Sequence, residues 1–485
     1  MQNDGGVPLL NRRIGLFSAI TLVVANMIGT GVFTTSGLIM GKLHSPLFLL
    51  LCWGGGGLFA LAGAFCYAEL GAMFPRSGGD YVFLRESFGR FAAFLSGWIS
   101  LIVGFSAPVA AAAIAFSCYA FGEQSWFGNH YIQLQIGEWS FFDISPQTLI
   151  ACGVVLVFSF LHSGSIGVSK GIQNILTLFK FSLITIFIAL GFFLGEGSFS
   201  HFSAEELETS FYLGNFATAL IFVSFAYSGW NAAAYLGGEI KNPGKNLPIA
   251  LIAGTLLVTT LYLLLNAIYI YSLPASELAG SIDVGRKSAG VLFGNTSGAF
   301  FSIAIAVGVL SVISAMTMSG PRVYFAMARD RVFFKFFGDM DIRRGNPSRA
   351  VWLQCFLAIL MIVTTSFDLL LLYIGVLLSF SSIMTVVGMM KLRITQRRII
   401  RPYKCFAYPI IPIFFIVGNM WIVGFSLWVN PVVFLYAGAT LAVGACVEML
   451  YRFRIYNAVD KDSKTPEADV CNTTSAAGYP MCEQE

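Results

Sequence analysis

The chain has 485 residues and a formal net charge of +4, with 11 % charged and 56 % hydrophobic residues; its mean hydropathy is +0.76. Soluble domains carry about 25 % charge, so a soluble enzyme and a disordered chain are excluded, and +4 is too weak a field for a nucleic-acid binder. What remains is an all-α polytopic membrane protein, because the apolar runs reach about 18 residues or more and lack the alternation of barrel strands.

Met1 to Arg13 is polar. It reads as a cytoplasmic N-terminus without a cleaved signal, since the next apolar run continues at spanning length. Twelve apolar segments follow, at about 14–41, 47–74, 91–121, 146–162, 169–194, 213–239, 247–272, 289–321, 349–366, 368–390, 405–427 and 429–450. From Arg454 to Glu485 the sequence is polar and poor in aromatics, which predicts a disordered tail. With the N-terminus inside, 25 of the 29 Lys and Arg fall on the cytoplasmic side and 3 outside (Lys42, Arg286, Lys287). That bias predicts cytoplasmic N- and C-termini in a plasma (cytoplasmic) membrane. The one basic residue left, Lys180, lies inside segment 5.

A perpendicular helix crosses the bilayer with about 20 residues. Segments 1, 3, 6 and 8 are longer and must be broken or tilted. Segment 1 contains Asn26-Met27-Ile28-Gly29-Thr30-Gly31-Val32-Phe33, and segment 6 contains Phe225-Ala226-Tyr227-Ser228-Gly229-Trp230-Asn231. Glycine is common in membrane helices as a packing residue. Two interruptions five segments apart, however, sit at matching places of two halves that are inverted in the membrane. Unwound backbone frees N–H and C=O groups that lipid cannot satisfy. Half-helix N-termini suit a carboxylate and exposed carbonyls suit an ammonium, and a free amino acid carries both.

Ile28-Gly29-Thr30-Gly31-Val32-Phe33 resembles the first-helix motif of the amino acid–polyamine–organocation superfamily. Pro75-Arg76-Ser77-Gly78-Gly79-Asp80-Tyr81 resembles its second signature. Phe225 to Asn231, with Glu239-Ile240-Lys241-Asn242-Pro243, resembles the sixth-helix motif of L-type amino acid transporters, and Ser319 to Asp330 the end of helix 8. The resemblance spans about residues 10–450. It implies 12 transmembrane helices in a leucine-transporter-like fold, and amino acid antiport by alternating access. A first repeat would occupy 14–194, an inverted repeat 213–390 and two added helices 405–450.

By that resemblance, the N–H groups of Gly29, Thr30 and Gly31 would bind the substrate carboxylate. The carbonyls of Phe225 and Ala226, with Met27 or Ile28, would hold the α-ammonium. The Phe225 ring would gate the site, with Gly229 and Trp230 in the same motif, and Ser228 would face the side chain. Many L-type relatives have a second glycine there, so serine is expected to favour smaller substrates. The run Gln173 to Lys180 resembles helix 5, where a lysine stands in place of a sodium ion. An intramembrane ammonium is a functional candidate in its own right. It can bridge helix 1 carbonyls to helix 8 hydroxyls, with Ser311, Ser314 and Thr317 as candidates, and sodium-independent transport is expected.

The middle stretches of segments 1, 3, 6, 8 and 10 hold no Asp or Glu, which favours neutral substrates. The alternative is a cationic amino acid or polyamine exchanger, with Trp230 or Phe225 serving the cation through its π face. An ion channel lacks a visible pore motif. An enzyme lacks a nucleophile–base pair, and no metal or cofactor is expected, because the four His and nine Cys show no ligand spacing. Glu69, Asp80, Arg85, Glu239 and Arg322 sit at cytoplasmic helix ends, as an inner gate or as solvated charge. Asn295-Thr296-Ser297 matches a glycosylation acceptor but sits at a helix start. Animal L-type transporters pair with a glycoprotein through a cysteine between helices 3 and 4. This chain has none from Phe121 to Ala151, so no disulfide-linked ancillary subunit is expected.

Overall fold

The structure is a computed structural model and describes residues 12, 14–121, 132–136, 139–164, 166–203, 213–330, 332–338, 347–365 and 367–463. The predicted N-terminal segment lies outside the described residues apart from Arg12, and so does the predicted tail beyond Ser463. Segment 1 forms two helices, α1 (Leu16–Met27) and α2 (Gly31–Leu43), bent by 43° across Ile28-Gly29-Thr30. α3 (Pro46–Met73) opens on Ser45, whose hydroxyl accepts the Phe48 N–H, with Pro46 at the first helical position where no N–H is missed.

α4 (Asp80–Phe88) and α5 (Arg90–Ile99) lead into a π-helical stretch at Ser100–Ser106 and then α6 (Ala107–Phe121). Pro108 cannot donate to the preceding turn, and the wider turn accommodates it. An antiparallel hairpin of β1 (Ile132–Ile136) and β2 (Trp139–Ile144) follows, the one departure from helix among the described elements. The Ile-Gln-Leu-Gln-Ile of β1 alternates with the period of a strand.

α7 (Pro146–Ser163) starts with a reciprocal cap between Ser145 and Thr148. α8 (Ile166–Leu194) carries Lys180. Segment 6 is α9 (Leu213–Ala226), a turn, and then only α10 (Ala232–Tyr235) before a 3-10 turn at Gly237–Glu239. Next come α11 (Pro243–Ser272), α12 (Ala275–Leu278), α13 (Val284–Phe293), α14 (Asn295–Arg329), α15 (Ser348–Thr364), α16 (Phe367–Thr395), α17 (Ile410–Val429) and α18 (Pro431–Ser463). α18 runs past Arg454, where the composition predicts the tail to begin.

Among the described residues, nine helices are long and apolar enough to cross a membrane, and ten if α1 and α2 count as one span. α9 and α15 are apolar but shorter. α3 packs along α11, α11 along α1, and α6 along α14. These helices enclose both breaks. α17 and α18 are outermost and expose Trp428, Phe434, Leu435 and Met449, apolar surface suited to lipid.

Candidate functional site

The two helix breaks touch. A Cβ on Gly31 would fall 2.5 Å from the Cα of Ala226, so glycine alone lets the two backbones meet. Gly229 has a φ of +96°, and a Cβ there would lie 2.8 Å from the Asn26 backbone. Thr30 and Gly31 stand where α2 begins, and among the described residues their N–H groups have no hydrogen-bond acceptor. The carbonyls of the breaks are differently placed. Phe225 accepts the Ser228 N–H at 2.9 Å. The Tyr262 hydroxyl of α11 lies 2.6 Å from the Met27 carbonyl oxygen and 3.1 Å from that of Ala226, so one buried side chain joins both breaks.

Lys180 is 1 % exposed, and its ammonium donates to the Ala25 carbonyl at 3.0 Å and to the Ile28 carbonyl. It fixes the end of α1, where helical partners for these carbonyls run out. Among the described residues it makes no hydrogen bond to the hydroxyls of α14, the helix that stands where the resemblance places helix 8. Ser311 donates to the Gly308 carbonyl at 2.7 Å, the Ser314 hydroxyl lies 2.9 Å from His162 Nε2, and Thr317 is buried on the same helix.

Between the breaks lies a cavity lined by Met27, Gly29, Thr30, Gly31, Phe225, Ala226 and Ser228. Asn26, Pro108 of α6, and Val312 and Met316 of α14 complete the wall. No acidic or basic side chain is among them. The volume is about 20 Å³, room for about one water, so the site is nearly closed. Ile28, Gly229 and Trp230 are not in the lining. Ile28 turns its carbonyl to Lys180, and Trp230 packs edge-on to Tyr67 and Phe415, with ring centroids 4.6 and 6.3 Å away.

The charged residues at the predicted cytoplasmic ends find other partners than one another. Arg393 and Arg401 hold the fully buried Glu69, which also accepts the Cys405 N–H at 2.7 Å. Arg85 and the Tyr81 hydroxyl both donate to Asp330, at 2.9 and 2.8 Å. Arg322 donates to the Met318 carbonyl. Asp80 is buried among hydroxyls, and burial pushes its carboxyl up to about 6.

The amino acid permease family matches residues 14–448. The chain belongs to the amino acid permease family. It is a polytopic membrane transporter, not an enzyme, and its substrates are amino acids. This permease is 29 % identical over 462 residues to the large neutral amino acids transporter small subunit 2 of Mus musculus, covering 94 % of this chain and 83 % of the relative. It is also 29 % identical over 429 residues to the serine/threonine exchanger SteT of Bacillus subtilis (86 % and 92 % covered). With the b(0,+)-type amino acid transporter 1 of Homo sapiens it shares 27 % identity over 403 residues (81 % and 79 %).

Tyr262, Asn26, Pro108, Val312 and Met316 are absent from the sequence-based candidates. Tyr262 carries a signal in hindsight, because a hydroxyl deep in an apolar segment requires a partner. Val312 and Met316 carry none: an apolar residue facing a cavity is indistinguishable in sequence from one facing a neighbouring helix.

Proposed function

We propose that this permease is a sodium-independent exchanger of neutral L-amino acids that works by alternating access around the paired breaks. One observation carries the assignment: the open amides of Thr30 and Gly31 face a cavity without charged walls. Two N–H groups at a helix N-terminus suit a carboxylate. The second lone pair of the Phe225 carbonyl is left for the α-ammonium. The lining then offers Ser228 and apolar walls to the side chain, which favours small neutral residues. A cation there would be buried without a counter-charge. The similarity to a mouse large neutral amino acids transporter subunit and to a Bacillus serine/threonine exchanger supports the same class.

In this reading Lys180 occupies the place of a coupling sodium ion, a fixed cation on the carbonyls of α1, with Ser314 and Thr317 on the facing helix. Met27, Ile28, Gly29, Gly229 and Trp230 shape the site around the substrate. The chain spans twelve times, with α9 and its turn and α15 as spans besides the ten counted above. Residues 14–194 form one repeat, 213–390 its inverted counterpart, and 405–450 two added helices. Both termini face the cytoplasm at the plasma membrane, and the exchanger acts without a disulfide-linked partner.

A thermal-shift screen of purified protein against the amino acids tests the class directly, since a ligand that binds only the folded state raises its stability by mass action. Alanine, serine or leucine is expected to stabilise the protein and arginine is not. Stabilisation by arginine alone would favour the cationic alternative. Exchange into proteoliposomes is expected to be unchanged when choline replaces sodium.

A further inference from the structure

The cytoplasmic end of segment 6 rests on a carboxyl group that pairs with no cation among the described residues. Asp80 is the first residue of α4 and is 5 % exposed. Its Oδ2 lies 3.4 Å from the Ser381 hydroxyl of α16 and 3.5 Å from the Tyr235 hydroxyl of α10. Among the described residues its Oδ1 has no hydrogen-bond partner within 3.5 Å, and neither has the buried Tyr67 hydroxyl of α3, which faces the same carboxyl and is close enough to favour its ionised form. An ionised carboxylate has about four acceptor sites. Here it receives two long contacts, poor solvation for a charge and sufficient for a neutral acid.

Charged groups stand nearby but are engaged elsewhere. On α4 itself, Arg85 pairs with Asp330, and Glu86 with Arg76. On α3, Glu69 is held by Arg393 and Arg401. On α16, Lys391 donates to the Ser87 carbonyl, and the groups nearer to Asp80, Ser381 and Thr385, are uncharged. Beyond α10, Glu239 makes no ion pair among the described residues.

Tyr235 connects this carboxyl to the transport site. It ends α10, the short helix that begins right after the second break. Its carbonyl accepts the Gly78 N–H at 3.0 Å, which docks α10 on the turn between α3 and α4. Its ring lies edge-on to Phe105 of the π-helical stretch, 6.2 Å between centroids. Any motion that frees the inner half of segment 6 must take Tyr235 away from Asp80.

We infer that Asp80 is a proton-binding site of the transport cycle: the neutral acid keeps α10 docked on the α3–α4 turn, and loss of the proton to water releases it. Only the Oδ–H bond breaks, and the new carboxylate is relieved by hydration once α10 moves. The raised affinity of the buried carboxyl for its proton puts the transition near pH 6, where a cell can use it. The inference rests on the exchanger reading above.

The test is exchange of labelled alanine against internal alanine in proteoliposomes, between pH 5 and 8. The wild-type rate is expected to fall on acidification with a midpoint near 6, by about tenfold one pH unit below it, as for a single titrating group. Asp80→Asn, neutral at every pH, is expected to stay at the slow acid-limb rate throughout, and Asp80→Glu to keep a sigmoid profile. Tyr235→Phe removes a donor to the carboxylate and is expected to move the midpoint upward, which serves if Asp80→Asn fails to fold. Active exchange with a flat wild-type profile would overturn the proton site and leave the exchanger. So would a wild-type profile in Asp80→Asn, or an unmoved midpoint in Tyr235→Phe. Absence of alanine exchange at every pH, with no stabilisation by any neutral amino acid, would overturn both.

Discussion

The two helix breaks face one cavity but are built differently. The first, at Ile28-Gly29-Thr30, separates two full helices, and its carbonyls are held by a buried ammonium and a tyrosine hydroxyl. The second, from Tyr227 to Asn231, is followed by four helical residues and a 3-10 turn, and among the described residues no charged side chain hydrogen-bonds to it. The first is therefore a pinned bend, with its carbonyls held from α8 and α11. The second depends on its neighbours, Tyr262 above and the α3–α4 turn below. The lesson is that the carbonyls of unwound backbone in a membrane protein need donors from outside their own helix, and that the two breaks draw them from different neighbours.

The sharpest way to break this comparison is to remove the pin. Lys180→Met deletes two hydrogen bonds to a charged donor, each of about 1.5–3 kcal/mol. Alanine exchange is expected to fall by about a hundredfold or more, since about 1.4 kcal/mol is a factor of ten. An active Lys180→Met protein would mean that the first break holds itself. Next in size is the contact between the breaks. Gly31→Val places side-chain carbons where the Ala226 backbone lies, and is expected to lower both the melting temperature and the substrate-induced thermal shift. An unchanged thermal shift would separate the breaks functionally.

Tyr262→Phe removes only the hydroxyl shared by both breaks, a neutral hydrogen bond of about 1 kcal/mol. A loss of about fivefold to tenfold in exchange rate is expected, and no loss would deny the bridge a role. The smallest effect is expected at Ser228→Gly. Removing the hydroxymethyl makes room for about one more methylene of substrate, worth about 0.8 kcal/mol, and should shift competition toward leucine over alanine by about fourfold. A shift toward smaller substrates would contradict the placement of Ser228 against the side chain.

Much of the first break was legible in the sequence. Gly29 and Gly31 interrupt an apolar run too long for one helix, and Lys180 is the one basic residue at membrane depth. Both signals are local, and both come from a solvent that punishes exposed backbone and buried charge alike. The second break was legible only as far as Gly229. That α10 would stop at Tyr235 depends on how the α3–α4 turn receives it. The partner of Ser314 was not legible either, because His162 lies 152 residues away in the chain.

By itself, then, the sequence determined membrane class, the order of the apolar segments, the two interruptions and the place of Lys180 within an apolar run. These follow from hydropathy, helix length and the conformational freedom of glycine, all properties of short stretches of chain. Only the tertiary structure decided which carbonyls Lys180 holds, that Tyr262 joins the breaks, that Trp230 packs outside the cavity and that Asp80 is buried with no cation paired to it among the described residues. Those are facts of distance between segments far apart in the chain. In a molecule with so few charges, which groups meet is set by packing, and composition alone does not encode it.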